Sequence, residues 1–241
     1  MKTLIGLGFI ILTIVSFWLL LRLFRPAMSE KSFRITVIAF IAWTVFLSIW
    51  SLSGMASRFE MFPINMAPVL LIPFVAIVAF TLSKRTRDVL SSIPTKSIAQ
   101  LQVFRVFVEL LLWALFVQHL LPVQMTFEGR NLDIVSGLTA PLAAMFLSRS
   151  KWGLVTWNLL CLGLLVNIVT VAILSMPTDL RAFNNEPANT IVAEFPFILL
   201  PGMLVPLAYG LSFLSLRQVF SLNSPNEKTS RTPHAAGFVQ R

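Results

Sequence analysis

The sequence predicts an all-α, polytopic transmembrane bundle of seven spans, and three observations carry that reading. Seven long apolar runs fill most of the 241-residue chain. Hydrophobic residues make up 56% of it, against a usual ~45–50% counted with glycine included. Charged residues are held to 12% and sit mostly in short clusters between the runs, whereas soluble domains carry roughly twice that share. The net charge of +9 therefore reads as a device for orienting the chain in a bilayer, not as a nucleic-acid footprint.

The runs cover 3–24, 35–53, 64–82, 101–121, 132–148, 152–175 and 196–216. Each is close to the ~20 residues that cross about 30 Å of hydrocarbon. The first has only Lys2 ahead of it and basic residues behind it. It is longer than the roughly 7–15 apolar residues of a cleaved signal, so it reads as a signal anchor. No connection is long enough to be a separate soluble domain, so residues 1–222 form one membrane domain. The polar, basic tail 223–241 reads as a disordered cytoplasmic extension.

Orientation follows from lysine and arginine. Arg22, Arg25, Lys31 and Arg34 follow the first run, and Lys84, Arg85, Arg87 and Lys96 follow the third. Arg149 and Lys151 follow the fifth, and Arg217, Lys228, Arg231 and Arg241 follow or end the seventh. These fourteen would share one side; Lys2, Arg58, Arg130 and Arg181 take the other. The excess marks the cytoplasmic side, which places the N-terminus outside and the C-terminus inside.

The third and seventh runs match at one constant offset. Phe62-Pro63, Pro68, Leu71, Pro73 and Phe80 recur as Phe195-Pro196, Pro201, Leu204, Pro206 and Phe213. A true repeat would make runs one to three and five to seven parallel triple-helix halves joined by the fourth, an organisation found among transporters. That architecture resembles the three-plus-one-plus-three families of sugar efflux, vitamin uptake and sorting, in topology and not in motifs. Chance recurrence of proline near helix starts is the other reading. Interior prolines remove a helix hydrogen bond and kink the helix in either case.

The fourth run is the one that carries both an acid and a base. Setting Arg105 at zero and turning about 100° per residue, Gln102 lies near 60°, Glu109 near 40° and His119 near −40°. These four polar groups share one stripe, with Arg105 and Glu109 spaced to meet as an ion pair. Ionisable groups inside a membrane are costly, face the protein interior and usually mark a substrate or proton path. Structural glue between helices is the competing role. Just beyond lies the densest polar segment outside the runs, 125–133, with Glu128, Arg130, Asn131 and Asp133. It reads either as a solvated loop whose Asn131 or Asp133 caps the next helix, or as the outer mouth of a cavity near His119. On the sixth run, Asn167 lines up with Thr156 while Asn158 faces nearly the opposite way; hydrogen bonding between helices is their simplest role.

Other chemistries fail on residue count. The two histidines, His119 and His234, cannot build a three-histidine zinc site or a buried two-histidine haem. No lysine lies inside a run, so a retinal Schiff base is excluded, and no phosphate loop or nucleophile elbow is present. Cys161 stands alone and reads as packing. No cofactor and no metal is expected.

Gln102, Arg105 and Glu109, followed by Phe127-Glu128-Gly129-Arg130-Asn131-Leu132-Asp133-Ile134, and Phe195-Pro196-Phe197 with Leu200-Pro201, resemble a pattern in an uncharacterised family of bacterial multi-pass membrane proteins. The resemblance covers the C-terminal two thirds. It implies a bacterial inner-membrane location and supplies no activity. The residues themselves point first to a transporter or ligand-binding protein for a small polar or amphipathic solute, bound at a midplane Arg105–Glu109 site. The alternative is an intramembrane enzyme on a lipid or isoprenoid, with Glu109 as acid–base group and Arg105 on an anionic head group. A structural or signalling subunit is the third class. The bilayer is the one partner the sequence names, and oligomeric state is left open.

Overall fold

The computed structural model describes residues 1–222, and they form helices and connecting turns with no strand among them. The expected tail, 223–241, lies outside the described residues. Five helical stretches are long and apolar enough to cross a membrane: Lys2–Ala27, Glu30–Leu52, Thr95–Val117, Lys151–Leu174 and Leu200–Ser221. They coincide with the first, second, fourth, sixth and seventh apolar runs.

The other two runs take different forms. The third is a helix of 16 residues, α3 (Ala67–Leu82), bent by 71° from the short α4 (Lys84–Ser91). Ser83 makes the corner: its backbone is extended, and its side chain accepts from the Thr86 amide to cap α4. The fifth run is a shorter apolar stretch, Ile134–Leu147, built as α7 (Ile134–Leu142) and a π-helical turn, Ala143–Leu147. Pro141 inside α7 withholds one amide from the helix ladder, which favours such a local change of pitch.

The remaining helices follow their end signals. In α1 (Lys2–Phe24), Pro26 follows the last turn. In α2 (Glu30–Leu52), Ser29 caps the start by accepting from the Ser32 amide at 3.2 Å. The fourth run is α5 (Thr95–Leu101) and α6 (Phe104–Val117) with a turn at Gln102 and Val103 between them. Ser150 caps α8 (Lys151–Leu174) by accepting from the Gly153 amide at 3.1 Å. A π-helical turn, Leu200–Leu204, opens α9 (Val205–Leu222).

α9 is the central post. Buried residues fill 67% of its apolar window, against 11% for α2, and it packs against α3, α4, α5 and α8. α2 presents Ile35, Ile38, Ile41, Val45 and Ile49 outward, an apolar stripe of the kind that faces lipid or a partner. Pro206 has no amide to offer the Gly202 carbonyl four residues back. Trp43 of α2 donates its indole nitrogen to that carbonyl at 2.8 Å, so a neighbouring helix satisfies the break. At the far end, Gln218 donates to the carbonyls of Leu90 and Ile93 at 2.8 and 2.5 Å, tying α9 to the α4–α5 corner.

Candidate functional site

Arg105 opens α6, and Glu109 stands one turn further along it. Phe104, Val108, Leu112 and Leu115 are buried on the same helix, so this face turns into the bundle. Arg105 and Glu109 are each 1% exposed. An arginine buried to that degree needs an anion and further acceptors.

The anion is Asp133, not Glu109. Arg105 Nε donates to Asp133 Oδ2 at 2.7 Å, and Nη2 donates to Oδ1 of the same carboxylate. Nη2 also donates to the Cys161 carbonyl at 3.2 Å. The expected contact within the Arg105–Glu109 pair is therefore replaced. A planar guanidinium pairs best with both oxygens of one carboxylate, and a carboxylate arriving from a separate segment can align with it. Asp133 is fixed in turn by Ser136 Oγ, which donates to Oδ1 at 3.2 Å. Glu109 has a neutral partner: Asn131 Nδ2 donates to its Oε2 at 2.6 Å and to the Met125 carbonyl at 3.1 Å. Asn131 Oδ1 accepts from the Asp133 amide at 3.0 Å, so one asparagine links the two acids.

These partners arrive because the chain folds back along α6. Trp113 donates to Glu128 Oε1 at 2.6 Å and stacks with Phe127. One turn down, Glu109 meets Asn131, and a further turn down Arg105 meets Asp133. Below that, Gly137 of α7 lies against α6 so closely that a Cβ there would sit 2.7 Å from the Val106 amide nitrogen. Leu121, Gln124, Met125, Thr126 and Asn131 are all buried. The solvated-loop reading of 125–133 is thus corrected in part: Met125, Thr126, Asn131 and Asp133 belong to the interior, while 128–130 and Leu132 stay exposed. The segment's backbone groups are satisfied locally, with the Thr126 amide on Val123, the Gly129 and Asn131 amides on Thr126, and the Arg130 amide on Gln124. Gly129 is required there because a Cβ would overlap the Val123 carbonyl and lie 2.6 Å from Gln124 Cα. The descent of this irregular segment also explains why α7 is short.

Arg105, Glu109 and Asp133 face a cavity of about 70 Å³. Met66, Leu70, Leu165, Ile168, Pro201 and Leu204 form apolar walls around it. That is room for about two waters at roughly 30 Å³ each, and well below the ~300–1,000 Å³ of sites for larger ligands. The π-helical turn Leu200–Leu204 supplies one wall, and such turns often sit at functional positions.

The other expected site residues lie elsewhere. Gln102 is buried but points to α9, donating to Ser212 Oγ at 3.0 Å and the Ala208 carbonyl at 3.3 Å. His119 is a correction: α6 ends at Val117, His119 takes a left-handed turn (φ 54°), and its side chain is exposed and off the stripe. Glu128, Arg130 and Asn167 form an exposed rim at the Trp113 end of α6. There Asn167 donates to the Arg130 carbonyl at 2.8 Å, and Arg130 lies 4.9 Å over Phe183. Thr156 is exposed, and Asn158 bonds Ser215. Asp133 and Asn131 were expected in a loop or at a cavity mouth and not as the partners of Arg105 and Glu109, and Ser136 and the Cys161 carbonyl complete the cluster without having been expected in it. The joint polarity of 102–109 and 124–136 was the available signal.

A family model described as a domain of unknown function (DUF8737) matches residues 61–220, a stretch that includes the whole cluster. No curated protein and no solved structure matches the chain.

Proposed function

The chain belongs to the DUF8737 family, and from the cluster that its matched region encloses we propose a multi-pass membrane protein that binds and moves a small polar or amphipathic solute, coupled to a proton on Glu109. The observation that carries this reading is the cavity on which Arg105, Glu109 and Asp133 converge. Arg105 and Asp133 neutralise each other. Glu109 is the acid with only a neutral side-chain partner, so it can exchange a proton without breaking the ion pair. The cavity is too small for most solutes, so binding requires the walls to part. Pro201, Pro206 and the π-helical turn beside the cavity are weak points in the ladder where that movement can occur.

Seven crossings, an external N-terminus and a bacterial inner membrane complete the proposal. The first two rest on the apolar runs and the basic clusters, the last on the sequence resemblance. The matching prolines of the third and seventh runs support two parallel halves. In this frame 118–133 descends into the bundle as irregular backbone, tolerated because it lines a cavity and not lipid.

An enzyme acting on lipid or isoprenoid is the second reading. Its support is Phe104, which lines both the cavity and a wide lateral groove. Arg22 is the sole ionisable side chain lining that groove among the described residues, which leaves it without an acid or base of its own.

Proteoliposomes loaded with a pH-sensitive dye test the transport reading against external amino acids, sugars, organic acids and amines. Wild-type protein should give solute-dependent proton movement with at least one class, and Glu109→Gln should abolish it. No response to any class, or an undiminished response in Glu109→Gln, would overturn the reading.

A further inference from the structure

We propose that the groove between α1 and the α5–α6 unit is a binding site for one anionic phospholipid of the surrounding bilayer. The groove encloses about 1100 Å³, at or above the top of the ~300–1,000 Å³ range of ligand sites. Its walls are apolar side chains that the fold leaves open to the surroundings, among them Ile11, Val15 and Leu19 of α1 and Phe107 and Leu110 of α6. One end is closed by contact between Gly8 and Leu111, where a Cβ on the glycine would lie 2.7 Å from Leu111 Cδ2. The other end is polar, with Arg22, Ser92, Ser97 and Gln100.

Length and charge choose the occupant. Fourteen residues of α1 separate Gly8 from Arg22, about 21 Å at 1.5 Å per residue. That is the depth of one bilayer leaflet with its head-group layer, about 20–22 Å. An acyl chain laid along the apolar walls therefore brings its phosphate to Arg22. Arg22 is free to receive it. Arg25 is paired with Glu30, whereas Arg22 has no carboxylate partner among the described residues. It lies 5.4 Å over the Trp18 ring, an aromatic–basic pairing suited to the head-group level. A guanidinium presents a fork of donors that matches phosphate oxygens. Ser16, buried on the groove wall, has no hydrogen-bond partner for its hydroxyl.

This site shares Phe104 with the central cavity but does not rest on the transport reading. Its test uses native mass spectrometry of the full chain in mild detergent, titrated with dioleoylphosphatidylglycerol and dioleoylphosphatidylcholine. Wild-type protein should hold one phosphatidylglycerol, about fivefold more tightly than phosphatidylcholine. Arg22→Gln should remove that preference. Val15→Trp, which fills the groove, should weaken both lipids, and Leu110→Trp on the facing wall should do the same if Val15→Trp folds poorly. Glu109→Gln should leave lipid retention unchanged, which separates this proposal from transport. Equal retention of the two lipids by wild type, an unaltered preference in Arg22→Gln, or lipid binding that survives both tryptophans would overturn it. Recovery of the bound lipid in cleaved form would replace a lipid site with the enzyme reading.

Discussion

Asp133 holds Arg105 by both carboxylate oxygens across 28 residues of chain, with the two side chains only 6% and 2% exposed. The pair pins the returning segment to the foot of α6. Removing one partner strands a buried charge, which typically costs about 3–5 kcal/mol. Asp133→Asn and Arg105→Met should each lower the thermal midpoint in detergent sharply. The double variant Arg105→Met/Asp133→Leu should recover much of the loss, since a well-packed apolar replacement can be neutral. A double variant as unstable as the worse single one would show that the partners act through other contacts.

Gly137 decides how closely α7 approaches α6. A Cβ at this position meets the Val106 backbone nitrogen and Cγ2 at 2.7 Å, and backbone cannot yield as a side chain can. Gly137→Ala should therefore destabilise by about 1–3 kcal/mol, the usual range for overpacking, and should loosen the Arg105–Asp133 pair above it. At Gly163 in α8 an added methyl would meet nothing within 4 Å. Gly163→Ala should be neutral or mildly stabilising through helix propensity. Thermal unfolding of the two variants side by side checks the contrast.

The helices were legible because composition alone demands them. Runs of apolar residues broken by basic clusters have few other solutions, and five of the seven coincide with helical stretches long enough to cross a membrane. The third run falls short because 64–66 form a turn and α3 starts only at Ala67, with Pro68 in its first turn, and the fifth because 118–133 takes up part of its path. Neither is written in hydropathy, which cannot tell buried irregular backbone from an external loop. At the site, Arg105 and Glu109 were legible as buried groups because a charge inside an apolar helix has no other place to go. Their partners were not. Asp133 and Asn131 follow from a tertiary fold-back, and a helical wheel sees one helix at a time. The same limit misplaced His119, whose angle assumed that the helix continues beyond Val117.

Orientation is tested by thiol labelling on a Cys161→Ala background. Arg87 and Asn184 are exposed and lie in connections predicted to be cytoplasmic and external. Asn184 is a better probe than Glu186. The Arg181 hydrogen bond, with the Ala188 amide, holds the Glu186 carboxyl below its usual range, so replacing it would disturb the loop. Asn184→Cys should react with an impermeant maleimide on intact cells, and Arg87→Cys only after lysis. The reverse pattern would invert the molecule.

Glu109 and Asn131 separate function from framework. Asn131 donates to Glu109 and to the Met125 carbonyl, and accepts from the Asp133 amide. Asn131→Ala leaves these buried groups unpaired at about 1–3 kcal/mol each, so it should reduce stability and activity together. Glu109→Gln keeps the volume and retains an oxygen acceptor for Asn131. Its cost to stability should stay near the ~0.5–1.5 kcal/mol of one ordinary hydrogen bond. If Glu109 carries the coupled proton, that mild change should still abolish solute-dependent proton movement, because an amide cannot release a proton at working pH. Thermal unfolding and dye-loaded proteoliposomes, run on the same preparations, distinguish the two roles. A Glu109→Gln protein that loses stability as Asn131→Ala does, yet transports as wild type, would make Glu109 a structural contact and move the search for the coupling group to another residue.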